Sequence, residues 1–199
     1  WAEEAESRLR ELARPGAEEL WKRELPGIEA PAAPVERIAA AAERLPWHAR
    51  QHAEEVLLPR WAAEVARGDP AAAGQTLRLA SVIGETLARK RGEELLAEAV
   101  ASIRRTMERG SLAERESLLR GLRAFGEGAV QYHEQNLDSA REIFARVARD
   151  LSVAENPLRF WARFYVALGE YNSRADRGLA SFEALLNELP RERWPALAG

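Results

Sequence analysis

Apolar residues recur along most of the chain at spacings of three and four residues, separated by polar ones. This spacing places them on one face of an α-helix, which a neighbouring helix must cover. The pattern is clearest between Gly128 and Leu151, where a short polar break separates two apolar faces. Small residues at Gly128 and Ala140 would let the two backbones approach, and Phe144 would fill the space below them. This stretch therefore predicts a helix hairpin whose outer faces require further hairpins on both sides.

Start and stop signals divide the rest of the chain into helices, and no stretch shows the alternation of a strand. Gly68 and Asp69 precede Pro70, which predicts a helix end, an N-cap and a first turn. Ser111 with Glu114 three residues later predicts a capping box. We expect helices at about 1–13, from Pro15 through Leu25, and at 35–45, 46–67, 70–88, 95–109, 111–134, 140–151, 157–171 and 176–189. The helix at 46–67 is expected to be kinked or split at Pro59.

The segment from Pro26 to Pro34 carries three prolines in nine residues, which predicts a linker that interrupts any helix. We therefore expect an N-terminal helical segment with its linker at 1–33 and a helical array at 34–199. The chain begins at Trp1 without an initiator methionine and ends directly after an apolar segment. It is expected to be a fragment of a larger protein.

Composition supports an all-α fold and disfavours several functional classes. Alanine, leucine, glutamate and arginine dominate, and these are strong helix formers. The net charge of -3 comes from interleaved charges of both signs, so we expect no nucleic-acid partner. No apolar run has the length of a membrane span, and we expect no membrane association. The absence of cysteine excludes disulfides and thiolate metal sites and fits a cytoplasmic location.

An internal repeat appears when the sequence is aligned with itself at an offset of 38 residues. Apolar and small residues of the second half then coincide with residues of the same kind 38 positions later. Phe144 meets Phe182, Leu151 meets Leu189, and Ala129 meets Ala167. Periods of this length are typical of arrays of helix hairpins.

The repeat resembles a family of helical repeats. Gly128, Tyr132, Ala140 and Phe144 resemble the small and aromatic positions of a tetratricopeptide (TPR) repeat. The resemblance implies antiparallel hairpins stacked as a right-handed α-solenoid. Segments such as NPLRFWARFYVALGEY are similar to the helical region that precedes the caspase-like CHAT protease domain of some large bacterial proteins. That second similarity implies a region that senses or binds partners, with the catalytic residues in a separate domain.

The leading hypothesis is a non-enzymatic interaction scaffold that binds a peptide, a protein partner or another domain of its parent chain. The alternative is the regulatory region of a CHAT-type protease whose catalytic domain is absent. Mixed aromatic and charged groups on the inner face of the array would recognise an extended segment. A last helix near Trp194 with an uncovered apolar face would form a homodimer. The TPR register predicts these partner-binding residues: Phe125, Tyr132, His133, Arg163, Glu170 and Tyr171.

Candidate chemistry is sparse, and we predict no catalytic, cofactor or metal site. His48 and His52 lie four residues apart with Glu55 nearby, a spacing that can hold zinc. Ala49 stands where a metalloprotease needs its general base, so packed or exposed histidines are favoured. Adjacent carboxylates, among them Glu54 with Glu55, are expected to be solvated surface charges. The aromatic set around Trp161 is expected to be mainly core, with some of its members lining the inner groove.

Overall fold

The structure is a computed structural model that describes residues 16–189, and within this range it is helical and contains no strand. Between these limits no helix is both long and apolar enough to cross a membrane. The predicted helix at 1–13 and the predicted dimer contact near Trp194 lie outside the described residues. The helices are α1 (Ala17–Ile28), α2 (Val35–Arg44), α3 (Pro46–His52), α4 (Leu58–Ala66), α5 (Pro70–Arg91), α6 (Leu95–Arg109), α7 (Leu112–His133), α8 (Leu137–Val153), α9 (Arg159–Ser173) and α10 (Ala175–Glu188), and a π-helical turn (Ala53–Leu57) joins α3 to α4.

The predicted start and stop signals are confirmed at α5 and α7. The Asp69 side chain caps α5 by accepting a hydrogen bond from the Ala72 amide at 3.0 Å. Ser111 and Glu114 form the capping box of α7, in which each side chain bonds the other residue's backbone amide. Gly92 ends α5 with φ +68°, a conformation that costs glycine little because it has no Cβ. Local chemistry thus fixes where these long helices begin and end.

The prolines of the expected linker do not all act as predicted. The expectation that Pro26 interrupts a helix is wrong, because α1 continues through it to Ile28. Pro26 is exposed and removes only one backbone donor, while buried Trp21 and Ile28 hold this helix on the core. Pro34 does act as a boundary, since it lies at the N-cap position of α2. The segment before residue 34 therefore contributes side chains to the same buried cluster as the helices after it.

Successive helices pack against one another in antiparallel pairs. Leu151 on α8 lies against Gly121 on α7, and Phe144 lies against Gly128 further along. The same reversal joins α8 to α9 and α9 to α10, so the second half is a run of hairpins. The first half differs because α5 contacts α2, α3 and α4 as well as α6. The structure is therefore a bundle around α5 that continues into consecutive hairpins.

The aromatic core of the hairpins lies at the residues that the sequence singled out. Phe144 is fully buried, and a Cβ added at Gly128 would lie 3.0 Å from its ring. Tyr165 stacks on Phe144 with ring centroids 4.3 Å apart, and the ring of Phe125 contacts that of Phe144 in a T-shaped arrangement. The expected role of Phe144 as the filler below Gly128 is confirmed. Of the aromatic set on α9, Phe160 and Trp161 are buried.

The close crossing of α5 and α6 yields a stability prediction. A Cβ at Gly84 would lie 2.9 Å from the backbone nitrogen of Ala97, so Gly84→Ala must push two helix backbones apart. We expect this change to lower the free energy of unfolding by about 1–3 kcal/mol. Gly74 lies in the same helix with open space around it, so Gly74→Ala should raise stability by up to about 1 kcal/mol. Urea denaturation of both variants measures the change in the free energy of unfolding, which should have opposite signs in the two. Equal changes would contradict the close approach of the α5 and α6 backbones at Gly84.

Candidate functional site

A π-helical turn divides the second predicted helix of the array just before Pro59. Proline has no backbone N–H, so Pro59 cannot donate to the carbonyl of Glu55 as an α-helix requires. The helix instead forms a wider turn with one extra residue, in which the Leu58 amide donates a hydrogen bond to the Ala53 carbonyl. Gly126 on α7 allows close packing here, because its Cβ would lie 2.9 Å from Pro59. π-Helical turns of this kind frequently occur at functional sites.

The π-helical turn directs two adjacent carboxylates to different environments. The prediction that Glu54 and Glu55 are solvated surface charges is wrong. Glu54 is 5 % exposed and lies in the core, and the Glu55 side chain is 11 % exposed at the base of a cleft. Glu93, which forms another pair of adjacent carboxylates with Glu94 in the sequence, is also buried. Glu54 and Glu55 are shielded from solvent because α7 and α9 pack over the π-helical turn. Residue spacing within one helix does not predict such packing.

The cleft beside Glu55 holds all three histidines of the chain. It has a volume of about 440 Å³ and lies between α1, the α3 segment and the end of α7. Apolar groups of Trp21, Leu25 and Val56 form part of its wall, and Val56 is 40 % exposed. We call it the histidine cleft, lined by Glu18, Trp21, Lys22, Leu25, His48, Gln51, His52, Glu55, Val56 and His133.

Glu55 joins three elements at the base of the histidine cleft. His133 at the end of α7 places its Nε2 2.8 Å from one carboxylate oxygen. Gln51 donates to the same oxygen at 3.2 Å, and the Tyr165 hydroxyl on α9 donates to the other at 3.0 Å. Burial and the adjacent Glu55 charge raise the pKa of Tyr165, which keeps its hydroxyl protonated as a donor. These bonds fix the polar groups of the cleft relative to one another.

A second histidine pairs separately with a carboxylate from α1. His52 Nε2 lies 2.8 Å from Glu29, and Arg60 donates to both oxygens of that carboxylate at 3.2 Å. Burial lowers the pKa of His52 against the opposing effect of Glu29, so the imidazole stays neutral at pH 7. Although burial opposes it, hydrogen bonds from Arg60 and His52 lower the pKa of Glu29. His52 and Glu55 therefore bind different partners.

The zinc-like spacing of His48, His52 and Glu55 does not produce a shared coordination centre. Because Glu55 lies in the π-helical turn, it is directed to His133 rather than to His52. Across residues 16–189 no group of three His, Asp or Glu side chains has the geometry to hold a metal ion. What the cleft offers is hydrogen-bonding groups and apolar surface.

No protein-family model, curated protein or solved structure matches this chain significantly. The resemblances to TPR repeats and to the region preceding CHAT domains thus rest on the sequence motifs alone.

The six residues predicted to bind a partner do not share one surface. Phe125 is only 1 % exposed and belongs to the core, and Tyr132 is half-buried with its ring 5.0 Å from that of Tyr165. His133 lines the histidine cleft.

The other three lie on α9, away from that cleft. Arg163 and Glu170 line a separate hollow of about 220 Å³ between α8, α9 and α10. Arg163 pairs there with Glu188 at 2.8 Å, and Glu170 accepts a hydrogen bond from Ser181. Tyr171 is 44 % exposed where α9 meets Gly178.

Below the histidine cleft lies a buried arginine that is flanked by two indole rings. The Arg50 guanidinium stands between the rings of Trp47 and Trp161, 4.5 and 4.6 Å from their centroids. A carboxylate oxygen of Glu54 lies 4.0 Å from its Nε. Burial raises the pKa of Glu54 to about 8, against the effect of Arg50. The two indole faces therefore stabilise the arginine charge through cation–π contacts.

Most residues of the histidine cleft were not predicted from the sequence. Glu18, Trp21 and Lys22 belong to the segment expected to stand outside the array, and Gln51 and Val56 carry no motif. The one available signal was Pro59 following two carboxylates inside a helix, which marks a turn where side chains change direction.

Proposed function

We propose that this chain is a non-enzymatic interaction module whose hairpins form a TPR-like array, and that the histidine cleft binds an extended segment. The segment comes from a protein partner or from another domain of the parent chain. The observation that carries the proposal is the cleft itself, an open depression with apolar wall groups beside polar groups that already hold one another in place.

The polar groups of the cleft favour binding over catalysis. Glu55 already accepts hydrogen bonds from His133, Gln51 and Tyr165, so it does not stand poised to take a proton from a substrate. None of the lining residues carries a hydroxyl or thiol nucleophile. The groups are suited instead to fixed hydrogen bonds with a bound backbone, because fixed partners reduce the entropy lost on binding.

The apolar wall explains why a segment with an apolar anchor is preferred. Val56 is 40 % exposed and offers an apolar contact surface next to the buried Trp21. Lys22 and Glu18 border this surface as an ion pair at 2.7 Å. Interfaces draw most of their affinity from a few apolar anchors surrounded by polar groups. An extended peptide with one large apolar side chain therefore fits both parts of the cleft.

A peptide selection tests this proposal. Random peptides displayed on phage would be selected against the full chain, and their affinity measured by fluorescence polarisation. Val56→Asp places a charge on the apolar wall and is expected to weaken the selected peptides about tenfold or more. Val56 is exposed, so thermal unfolding should change little.

Val153→Asp is the matched control, because Val153 is 51 % exposed on α8 and does not line the cleft. It should leave the affinity unchanged. The proposal fails if peptides bind the two variants equally, or if selection yields no peptide that binds the wild-type chain.

A further inference from the structure

Four arginines surround a groove between α7 and α8 that shares no lining residue with the histidine cleft. On α7, Arg120, Arg123 and Glu127 recur at the spacing of one helix face, and Arg146 and Arg149 lie across from them on α8. The depression has a volume of about 540 Å³. We call it the arginine groove, lined by Arg120, Arg123, Ala124, Glu127, Arg146, Arg149 and Asp150.

The charges of the arginine groove are only partly compensated within it. Asp150 accepts two hydrogen bonds from Arg120, the shorter at 2.8 Å, and this pair is neutral. Within residues 16–189, Arg123 donates only to the Leu119 carbonyl of its own helix. Four guanidinium groups face two carboxylates in the groove, which leaves a surplus of two positive charges on a chain whose net charge is -3.

The groove continues over α8 into a second depression. Arg146 and Arg149 also line a hollow of about 540 Å³ with Ile143, Ala145 and Glu142. The two arginines therefore stand between two adjoining depressions, where neither has a carboxylate partner among the described residues. Guanidinium groups in such positions bind carboxylates through two parallel hydrogen bonds.

We propose that the arginine groove binds an acidic, extended protein segment, independently of the histidine cleft. The carboxylates of such a segment would pair with Arg123, Arg146 and Arg149, and its small side chains would rest on Ala124 and Ala145. Separate carboxylates suit this surface better than a nucleic acid, because Glu127 and Glu142 stand between the arginines and would repel a continuous row of phosphates.

A binding measurement with defined probes tests the proposal. The probe is a fluorescein-labelled peptide of alternating glutamate and alanine, and the comparison probes are its glutamine counterpart and a single-stranded oligouridylate of equal length. The acidic peptide should bind the full chain, and the joint change of Arg146→Gln and Arg149→Gln should weaken it about tenfold. Both side chains are exposed, so the fold should be unaffected.

The matched control changes Arg105 and Arg109 to glutamine, which removes the same charge from exposed positions on α6. It should reduce affinity no more than about twofold. Val56→Asp in the histidine cleft should leave peptide binding unchanged, which separates this proposal from the preceding one. Absence of binding at about 1 mM peptide, equal losses in both double variants, or tighter binding of the neutral peptide or the oligouridylate would overturn the proposal.

Discussion

Phe144→Ala is expected to lower the free energy of unfolding by about 3–5 kcal/mol, as is usual for a fully buried aromatic ring. Phe144 has no exposed surface and fills the space that Gly128 leaves between α7 and α8. Its ring also stacks on Tyr165, so the change opens a cavity where three helices meet. Guanidinium denaturation followed by circular dichroism measures the loss.

Phe182 supplies the matched control, because it occupies the equivalent position one repeat later. Its ring is only partly buried and contacts Phe164 in a tilted arrangement. Phe182→Ala should therefore cost about 1 kcal/mol. Equal losses at the two positions would show that the aromatic centre around Phe144 is packed no more tightly than the terminal hairpin.

Glu54→Gln is expected to stabilise the protein increasingly as pH rises. Burial raises the pKa of this carboxyl from its ordinary value of 4.5 to about 8, although nearby Arg50 opposes the shift and Glu93 and Glu55 reinforce it. Between these two values the folded state binds the extra proton, so wild-type stability falls as pH rises through the window. The slope from this group is about 1.4 kcal/mol per pH unit. Glutamine resembles the protonated acid and does not ionise, so the variant lacks this slope.

The check is the free energy of unfolding of both proteins by urea denaturation between about pH 4 and pH 9. The free energies of unfolding of the two proteins should coincide near pH 4, and the variant should become the more stable one as pH rises. The difference should stop growing above about pH 8. Glu183→Gln on exposed α10 is the control and should follow the wild-type curve. A variant less stable than wild type at pH 9 would contradict a carboxyl whose pKa is raised by burial.

The sequence predicted the helices well, because their ends depend on neighbouring residues. Asp69 and the Ser111 capping box act locally, and each lies at the expected boundary. Pro26 was misjudged because buried side chains on both sides of it hold α1 together, and packing of this kind has no local signature. The bundle around α5 likewise depends on contacts between distant helices.

The candidate site was far less predictable than the fold. Glu55 meets His133 and Tyr165, which are 78 and 110 residues away in the chain. The contact between Glu55 and His133 depends on the π-helical turn, which sets the direction of the Glu55 side chain. The spacing of residues in the sequence does not predict that direction. The TPR register predicted His133 as a partner-binding residue, but it grouped His133 with α9 residues that line a different hollow. Spacing within one helix cannot reveal such long-range pairings.

Hydrogen–deuterium exchange of the full chain, with and without a saturating peptide selected against it, tests the proposed function most directly. Binding in the histidine cleft should slow exchange in α1, in the π-helical turn Ala53–Leu57 and in the last turn of α7, while α10 stays unchanged. Slowed exchange confined to α9 and α10, or no change in the π-helical turn at saturation, would contradict the histidine cleft as the binding site.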